Sequence, residues 1–256
     1  MTAWAFLDHP GPIPFAHRGG AAEGAENTMP AFEHAVRLGY RYLETDVHAT
    51  ADGVLVAFHD NVLDRVTDRQ GVIGRMPWDD VRQARVGDDG IPLLVELLST
   101  WPDVRVNIDI KHEASIVPLV EVLNRAGAHD RVCVASFSGK RLDRFRNLTG
   151  GRVCTATSPR DIARIRLAGL GLGGGRFAAA CTQVPVRQGP VVVVSRQFVD
   201  AAHRRQLPVH VWTIDDPDEM ERLLDLGVDG IMTDRPTVLK EVLVRRGQWV
   251  EAPWGN

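Results

Sequence analysis

The amino-acid sequence predicts an α/β fold: a closed (β/α)8 TIM barrel with one insertion after its second strand. Three observations carry that expectation. Short β-branched runs alternate with amphipathic helical stretches almost to the C-terminus, as in parallel strands joined by helical crossovers. Eight strand candidates are each followed, sooner or later, by a helix candidate, which is the count of the barrel. The 256 residues suit the ~250 of one barrel domain. No linker or composition shift divides the chain, so residues 1–256 read as a single domain. A doubly wound open sheet is the alternative architecture.

The elements follow in order. Strands are expected at 13–17, 42–48, 104–110, 132–136, 153–156, 179–184, 209–214 and 230–233. Helices are expected at 29–38, 93–101, 114–126, 139–148, 159–167, 196–206, 217–226 and 236–245. Ser158-Pro159 and Asp216-Pro217 are start signals, a cap residue before proline. Gly39, Gly127 and Gly227 are stop signals. Residues 49–90, between the second strand and its helix, are too long for an ordinary βα loop of a few residues. A loop after a barrel strand lies on the catalytic face. GLGLGGGR at 169–176 formally matches a dinucleotide fingerprint, but it follows a helix and precedes a strand. That order is the reverse of the fingerprint's, so a loop on the opposite rim is expected.

Composition narrows the function classes. Hydrophobic residues make up 44% and charged residues 25%, with a net charge of −3. That offers no basic face for nucleic acid. No apolar run approaches the ~18 residues of a membrane span, so no stable membrane insertion is expected. The start, MTAWAFLDHPG, lacks a basic head and is broken by Asp8, which argues against a removable signal. Cys133, Cys154 and Cys181 are odd in number and far apart in sequence. That argues against a disulfide framework and against a zinc site built from close pairs. Buried thiols in a reducing cytoplasm are expected.

The chemistry-bearing residues sit at strand ends. In RYLETDVHAT, Glu44 and Asp46 alternate onto one strand face, a costly pairing unless a cation joins them. Asp52-Gly53 signals a hairpin. With those two residues at the centre of a two-residue turn, His59 falls opposite Asp46 and shares its face. In VRVNIDIKHE, Asn107, Asp109 and Lys111 share a face. Three carboxylates without cysteine suit a hard cation, Mg²⁺ or Ca²⁺. His17 ends the first strand, beside Arg18 and the pliant Gly19-Gly20 step. Two imidazoles flanking a metal equip a site for phosphodiester hydrolysis, one taking a proton and the other giving one. Arg18 and Lys111 would offset phosphoryl charge. Gln183 and Trp212, late in their strands, are further candidates for substrate contact. Asp234 before Arg235-Pro236 reads as a helix cap. His34, His48, His112, His129, His203 and His210 read as surface or structural.

At these residues the sequence resembles the glycerophosphodiester phosphodiesterase family. The resemblance rests on AHRGG with ENT (16–28), LETDV (43–47), FHD (58–60), NIDIK (107–111), VWTID (211–215) and GVDGIMTDRP (227–236), in order along nearly the whole chain. It implies a (β/α)8 barrel that uses one divalent cation, Mg²⁺ or Ca²⁺, to release glycerol 3-phosphate and an alcohol from a small-molecule glycerophosphodiester. It implies His17 and His59 as the acid/base pair, Glu44, Asp46 and Asp109 as metal ligands, and Arg18 and Lys111 as phosphate contacts. Glu26 and Asn27 match the motif after the first strand, while Asn27 or Thr28 can equally cap the next helix. Residues 49–90 correspond to the insertion typical of the family. The family often has glutamate at the place of Asp109, proline at Ala25 and asparagine at Asp215. Two other readings remain: a phosphodiesterase acting on lysophospholipids, and a non-catalytic barrel that binds a phosphorylated ligand.

Overall fold

Eight short strands follow one another around a ring, each carrying small or branched apolar side chains outward to a shell of helices. In a computed structural model, which describes residues 4–173 and 175–251, they are β1 (Ile13–His17), β2 (Tyr42–Ala49), β3 (Arg105–Ile110), β4 (Val132–Ala135), β5 (Cys154–Thr155), β6 (Thr182–Pro185), β7 (Val209–Trp212) and β8 (Gly230–Thr233). Residues 1–3, Gly174 and 252–256 lie outside the described set, so part of the glycine-rich stretch and of the N-terminal reading falls there. The helices are α1 (Met29–Arg37), α2 (Leu94–Thr100), α3 (Ile116–Ala126), α4 (Gly139–Thr149), α5 (Pro159–Gly169), α6 (Arg196–His203), α7 (Pro217–Leu226) and α8 (Pro236–Arg245). The pairing order is β5-β4-β3-β2-β1-β8-β7-β6, all parallel. A single parallel bridge, Ala156 to Cys181, spans the seam between β5 and β6 and closes the ring.

Most boundaries fall within two residues of expectation. The exceptions are the start of β6, at that seam, and the end of α6, which stops at His203, three residues short of expectation. β5 has two residues, and β6 begins at Thr182 because residues 179–181 run as a single-bridge connection. Caps act as the sequence signals promise. The Ser158 side chain accepts from Asp161 N–H in a full capping box, and Asp216 accepts from Glu219 N–H. Gly127 and Gly227 take the left-handed conformation at helix ends (φ 58° and 90°).

Alternation divides each strand between two cores. Outward residues such as Leu43, Val47, Val106, Ile108, Val134, Val209, Val211 and Ile231 pack against the helices. Inward residues Phe15, Tyr42, Cys133, Cys154, Cys181 and Met232 fill the barrel floor, together with Phe6 and Leu7. Those last two come from an N-terminal 3-10 turn, Ala5–Leu7, that plugs the barrel from below. Phe6 meets Tyr42 edge-on at 5.4 Å, and Tyr42 Oη donates to the Phe6 carbonyl at 2.8 Å.

The insertion is ordered around its own small core of Val56, Phe58, Leu63, Ile73, Val81, Ala84, Val86 and Ile91. Its first strand, Leu55–Ala57, pairs antiparallel with β2, Val47 opposite Ala57. This corrects the expected register by one residue: Asp46 lies opposite Phe58, and its carbonyl accepts from Phe58 N–H at 2.9 Å. The hairpin turns through a three-residue loop, not two. Thr50 pairs with Val54, and Gly53 takes φ 82°. The Thr50 hydroxyl also accepts from Val54 N–H at 3.0 Å, which secures the longer loop.

Candidate active site

The first strand ends in a sharp turn that the following residues dictate. Arg18 takes φ 51°, which is costly for a side chain with a Cβ, and Gly19 and Gly20 follow at 83° and 105°. A Cβ on Gly19 would stand 2.9 Å from the Ala31 backbone, and one on Gly20 2.7 Å from the Pro236 ring. These glycines therefore serve close packing on α1 and α8. Glu44 holds the turn by accepting from Arg18 N–H at 3.2 Å. Thr28 caps α1, accepting from Ala31 N–H. Asn27, at φ 55°, accepts instead from the Thr45 hydroxyl at 2.7 Å.

That turn leaves His17 between two acids. Its Nδ1 lies 2.6 Å from Asp234 Oδ1, and its Nε2 lies 3.7 Å from Glu44 Oε2. Burial lowers the His17 pKa, but Glu44 and Asp234 outweigh it and hold the imidazole above its ordinary value. Asp234 is thus not a helix cap. The residue at the start of α8 is Arg235, with no side-chain cap bond. Asp215 also turns away from the barrel mouth, accepting from Thr233 Oγ1 at 2.9 Å and from Asp234 N–H at 2.8 Å.

Strand register sets the acids in layers. His17 pairs with Glu44, Glu44 with Asn107, and Asp46 with Asp109. Lys111 Nζ sits between two of the acids, 2.8 Å from Asp46 Oδ1 and 2.7 Å from Asp109 Oδ2. Arg18 Nε stands 3.2 Å from Asp46 Oδ2 as an ion pair without hydrogen-bond alignment. Burial opposes ionisation of Asp46, but Lys111 and Arg18 prevail and hold its carboxyl below the ordinary value. Glu44 has weaker help: burial, then the Asp46 anion, push it up to about 7. Burial also raises Asp109, with Lys111 opposing. Lys111, flanked by Asp109 and Asp46, is raised to about 12 despite burial.

These residues line one cavity of about 700 Å³ at the mouth of the barrel. His59 joins them by a route other than the expected strand alternation. The hairpin strand stops at Ala57 and the chain bends at His59. There His48 Nε2 meets the His59 carbonyl at 3.0 Å and fixes the bend. His59 Nδ1 lies 2.5 Å from Asp60 Oδ1. Gln183 and Trp212 also line the cavity, and Gln183 donates to Asn107 Oδ1 at 2.8 Å. The opposite wall is apolar, formed by Phe137, Ile162, Pro185, Val191 and Val193 beside Trp212.

The model of the glycerophosphoryl diester phosphodiesterase family matches residues 17–238, from His17 into α8. A probable glycerophosphodiester phosphodiesterase 2 of Mycobacterium tuberculosis is 42% identical over 252 residues, covering 95% of each chain. The chain belongs to the glycerophosphoryl diester phosphodiesterase family. Two solved structures show the same fold. A putative glycerophosphoryl diester phosphodiesterase of Silicibacter pomeroyi has a TM-score of 0.82 at 22% identity, covering 97% of this chain and 100% of that one. An Oleispira antarctica phosphodiesterase in complex with its product, sn-glycerol-3-phosphate, has a TM-score of 0.76 at 24% identity, covering 91% and 97%.

The cavity gathers the nine residues expected to act as acid/base groups, metal ligands or substrate contacts: His17, His59, Arg18, Lys111, Gln183, Trp212, Glu44, Asp46 and Asp109. The donor chemistry around it fits a hard cation. The acids offer only oxygen, and Asp46 Oδ2 and Asp109 Oδ1 are buried without a hydrogen bond. As they stand, Asp46 and Asp109 pair with Lys111, Asp46 pairs also with Arg18, and Glu44 faces His17 and the Arg18 N–H, so the three acids do not close on a common point. Sequence reasoning missed four supporting residues: Asp234, His48, Arg65, and Asp60, whose carboxylate orients the His59 ring. Arg65, from the insertion, reaches Glu26 Oε1 at 2.6 Å and Asp60 Oδ2 at 2.5 Å, tying the first loop to the His59 bend. Asp60 stands next to its histidine in FHD, which was a usable signal. Ring closure sets the end of β8 beside the end of β1, which was the signal for Asp234.

Proposed function

We propose that this chain hydrolyses glycerophosphodiesters to glycerol 3-phosphate and an alcohol, with His17 and His59 as the acid/base pair. One observation carries the reading: both imidazoles have Nδ1 held by a carboxylate, Asp234 and Asp60, and both line the same acid-and-cation cavity. A carboxylate on Nδ1 selects the tautomer with a basic Nε2. One Nε2 takes the proton of the attacking hydroxyl, and the other imidazole returns a proton to the leaving alkoxide. Arg18 and Lys111 face the phosphoryl oxygens and offset their charge. A divalent cation, Mg²⁺ or Ca²⁺, would be held by Glu44, Asp46 and Asp109 and would polarise a phosphoryl oxygen. The insertion, through Arg65 and His59, shapes the glycerol end of the site. Glycerol 3-phosphate held by the Oleispira phosphodiesterase on the same fold supports the product assignment.

Either water or the neighbouring glycerol hydroxyl can be the attacking group, and family analogy favours the hydroxyl. Equal rates on diesters without a vicinal hydroxyl would exclude that route. Among the described residues no helix is long and apolar enough to cross a membrane. The three free thiols support a reducing cytoplasm. Coupled detection of glycerol 3-phosphate tests the main reading. Activity should vanish in EDTA, return with Mg²⁺ or Ca²⁺, and fall at least ~10²-fold in His17→Ala and His59→Ala. Metal binding without product release under any divalent cation would show a binding-only barrel.

The apolar wall favours a second reading, cleavage of lysophospholipids. Phe137, which closes over Trp212 at 5.7 Å between ring centres, is 65% exposed. A chain-bearing alcohol would cover it. Turnover of lysophosphatidylcholine well above that of glycerophosphocholine would establish this substrate; the reverse would return the wall to a packing role.

A further inference from the structure

The cysteines, far apart in sequence, do not stay apart. Cys133 comes from β4, Cys154 from β5 and Cys181 from the bridge that closes the ring, and alternation turns all three inward. Their sulfur atoms all lie within 4.8 Å of one another, fully buried one layer below the catalytic cavity. Cys133 Sγ and Cys181 Sγ are 3.8 Å apart. Two sulfurs bound tetrahedrally to one ion at ~2.3 Å stand about 3.8 Å apart. The spacing argument from sequence against a zinc site therefore fails, because strand order, not loop length, brings the ligands together.

A second, independent observation lies on β7. His210 is fully buried, and its Nε2 has no hydrogen-bond partner. Its imidazole faces the Cys181 thiol. Its other nitrogen, Nδ1, is held by the Gln183 side-chain amide at 3.4 Å. Because Nδ1 accepts from that amide, the ring proton stands on Nε2, so His210 presents a buried N–H without a partner, which a thiolate at Cys181 would accept.

We propose that the barrel floor is a structural zinc site, with Cys133, Cys154 and Cys181 as thiolate ligands and the buried His210 N–H as a hydrogen-bond donor to the Cys181 sulfur. Soft thiolate sulfur is a preferred ligand of zinc. As Zn²⁺ enters, each thiol forms a Zn–S bond and releases its proton to solvent, and no redox change occurs. The site has a structural purpose. The seam between β5 and β6 is held by a single bridge, and the ion would join β4 and β5 to the Cys181 segment that leads into β6. Full burial means that the ion is loaded as the chain folds.

The test uses the full chain, unfolded and refolded with Co²⁺ or Zn²⁺ and then dialysed against EDTA. The expected result is about one zinc retained per chain. The cobalt form should show a thiolate-to-cobalt charge-transfer band and the intense visible bands of tetrahedral cobalt. An all-oxygen site cannot produce the charge-transfer band, so metal in the catalytic cavity is distinguished. Asp109→Ala should keep the bands, Cys181→Ala should lose them, and His210→Ala should shift them. Hydrogen exchange at β5 and β6 should quicken in the metal-free form. Wild-type protein with no retained zinc and no charge-transfer band would overturn the proposal, whether or not the variants fold.

Discussion

Asp234 offers the sharpest test of the site, because two roles for it predict opposite outcomes. As a helix cap it would tolerate Asp234→Asn, since asparagine caps as well as aspartate. As the partner of His17 it would not. The His17 Nδ1–Asp234 Oδ1 distance is 2.6 Å, the two are part-buried, and Asp234 helps hold the imidazole pKa up. A hydrogen bond to a charged group is worth about 1.5–3 kcal/mol. Its loss should lower kcat by roughly 10- to 150-fold if it is fully realised in the transition state. The same energy is about 1–2 pKa units. The sign is fixed: removing the anion lowers a raised pKa, so the limb of the pH profile that reports His17 moves to lower pH. Glu44 remains, so the imidazole does not lose all of its support. The assay is coupled release of glycerol 3-phosphate across pH, with thermal melts as the folding control. An Asp234→Asn enzyme with kcat within about threefold of wild type and an unmoved limb would refute the pairing.

Three further outcomes are expected. In EDTA, Glu44 keeps a proton that the unfolded chain loses above its ordinary value of 4.5, because its folded pKa is about 7; stability is full below 4.5 and declines as pH rises to 7, by on the order of 3 kcal/mol. Melts should show a shallower decline in Glu44→Gln, and an identical slope in both proteins would contradict the assignment. Arg65→Lys keeps the charge but loses the fork that joins Glu26 and Asp60, so kcat should fall about tenfold with little change in melting temperature. His48→Phe removes the contact with the His59 carbonyl at 3.0 Å; kcat should drop while affinity for glycerol 3-phosphate, read by calorimetry, stays close to wild type.

The sequence made the layers of the site legible because a strand repeats every two residues. Glu44 with Asp46, and Asn107 with Asp109 and Lys111, needed only that period and the order of the strands. The His59 register was less legible. Asp52-Gly53 serves a two-residue or a three-residue loop equally well, and only the Thr50 hydroxyl bond to Val54 N–H decides between them. His59 reaches the cavity through a bend that no period describes. Asp234 and His17 are 217 residues apart. Their contact follows from closure of the ring, which the eight-strand count implies but which single motifs do not display. The same closure gathers Cys133, Cys154 and Cys181.

The arrangement of the two histidines explains why the supporting residues are spread so widely. Each imidazole has one carboxylate on Nδ1, and the two carboxylates come from different elements. Asp234 arrives from the last strand, beside the first. Asp60 arrives from the insertion, on a bend fixed from behind by His48. The first imidazole therefore belongs to the rigid ring, while the second belongs to a segment tethered by Arg65 and by its own small core. Loosening the insertion should then disturb one proton transfer and spare the other. An Arg65 variant should move only one limb of the pH profile, and movement of both limbs together would show that the two histidines are positioned as a single unit.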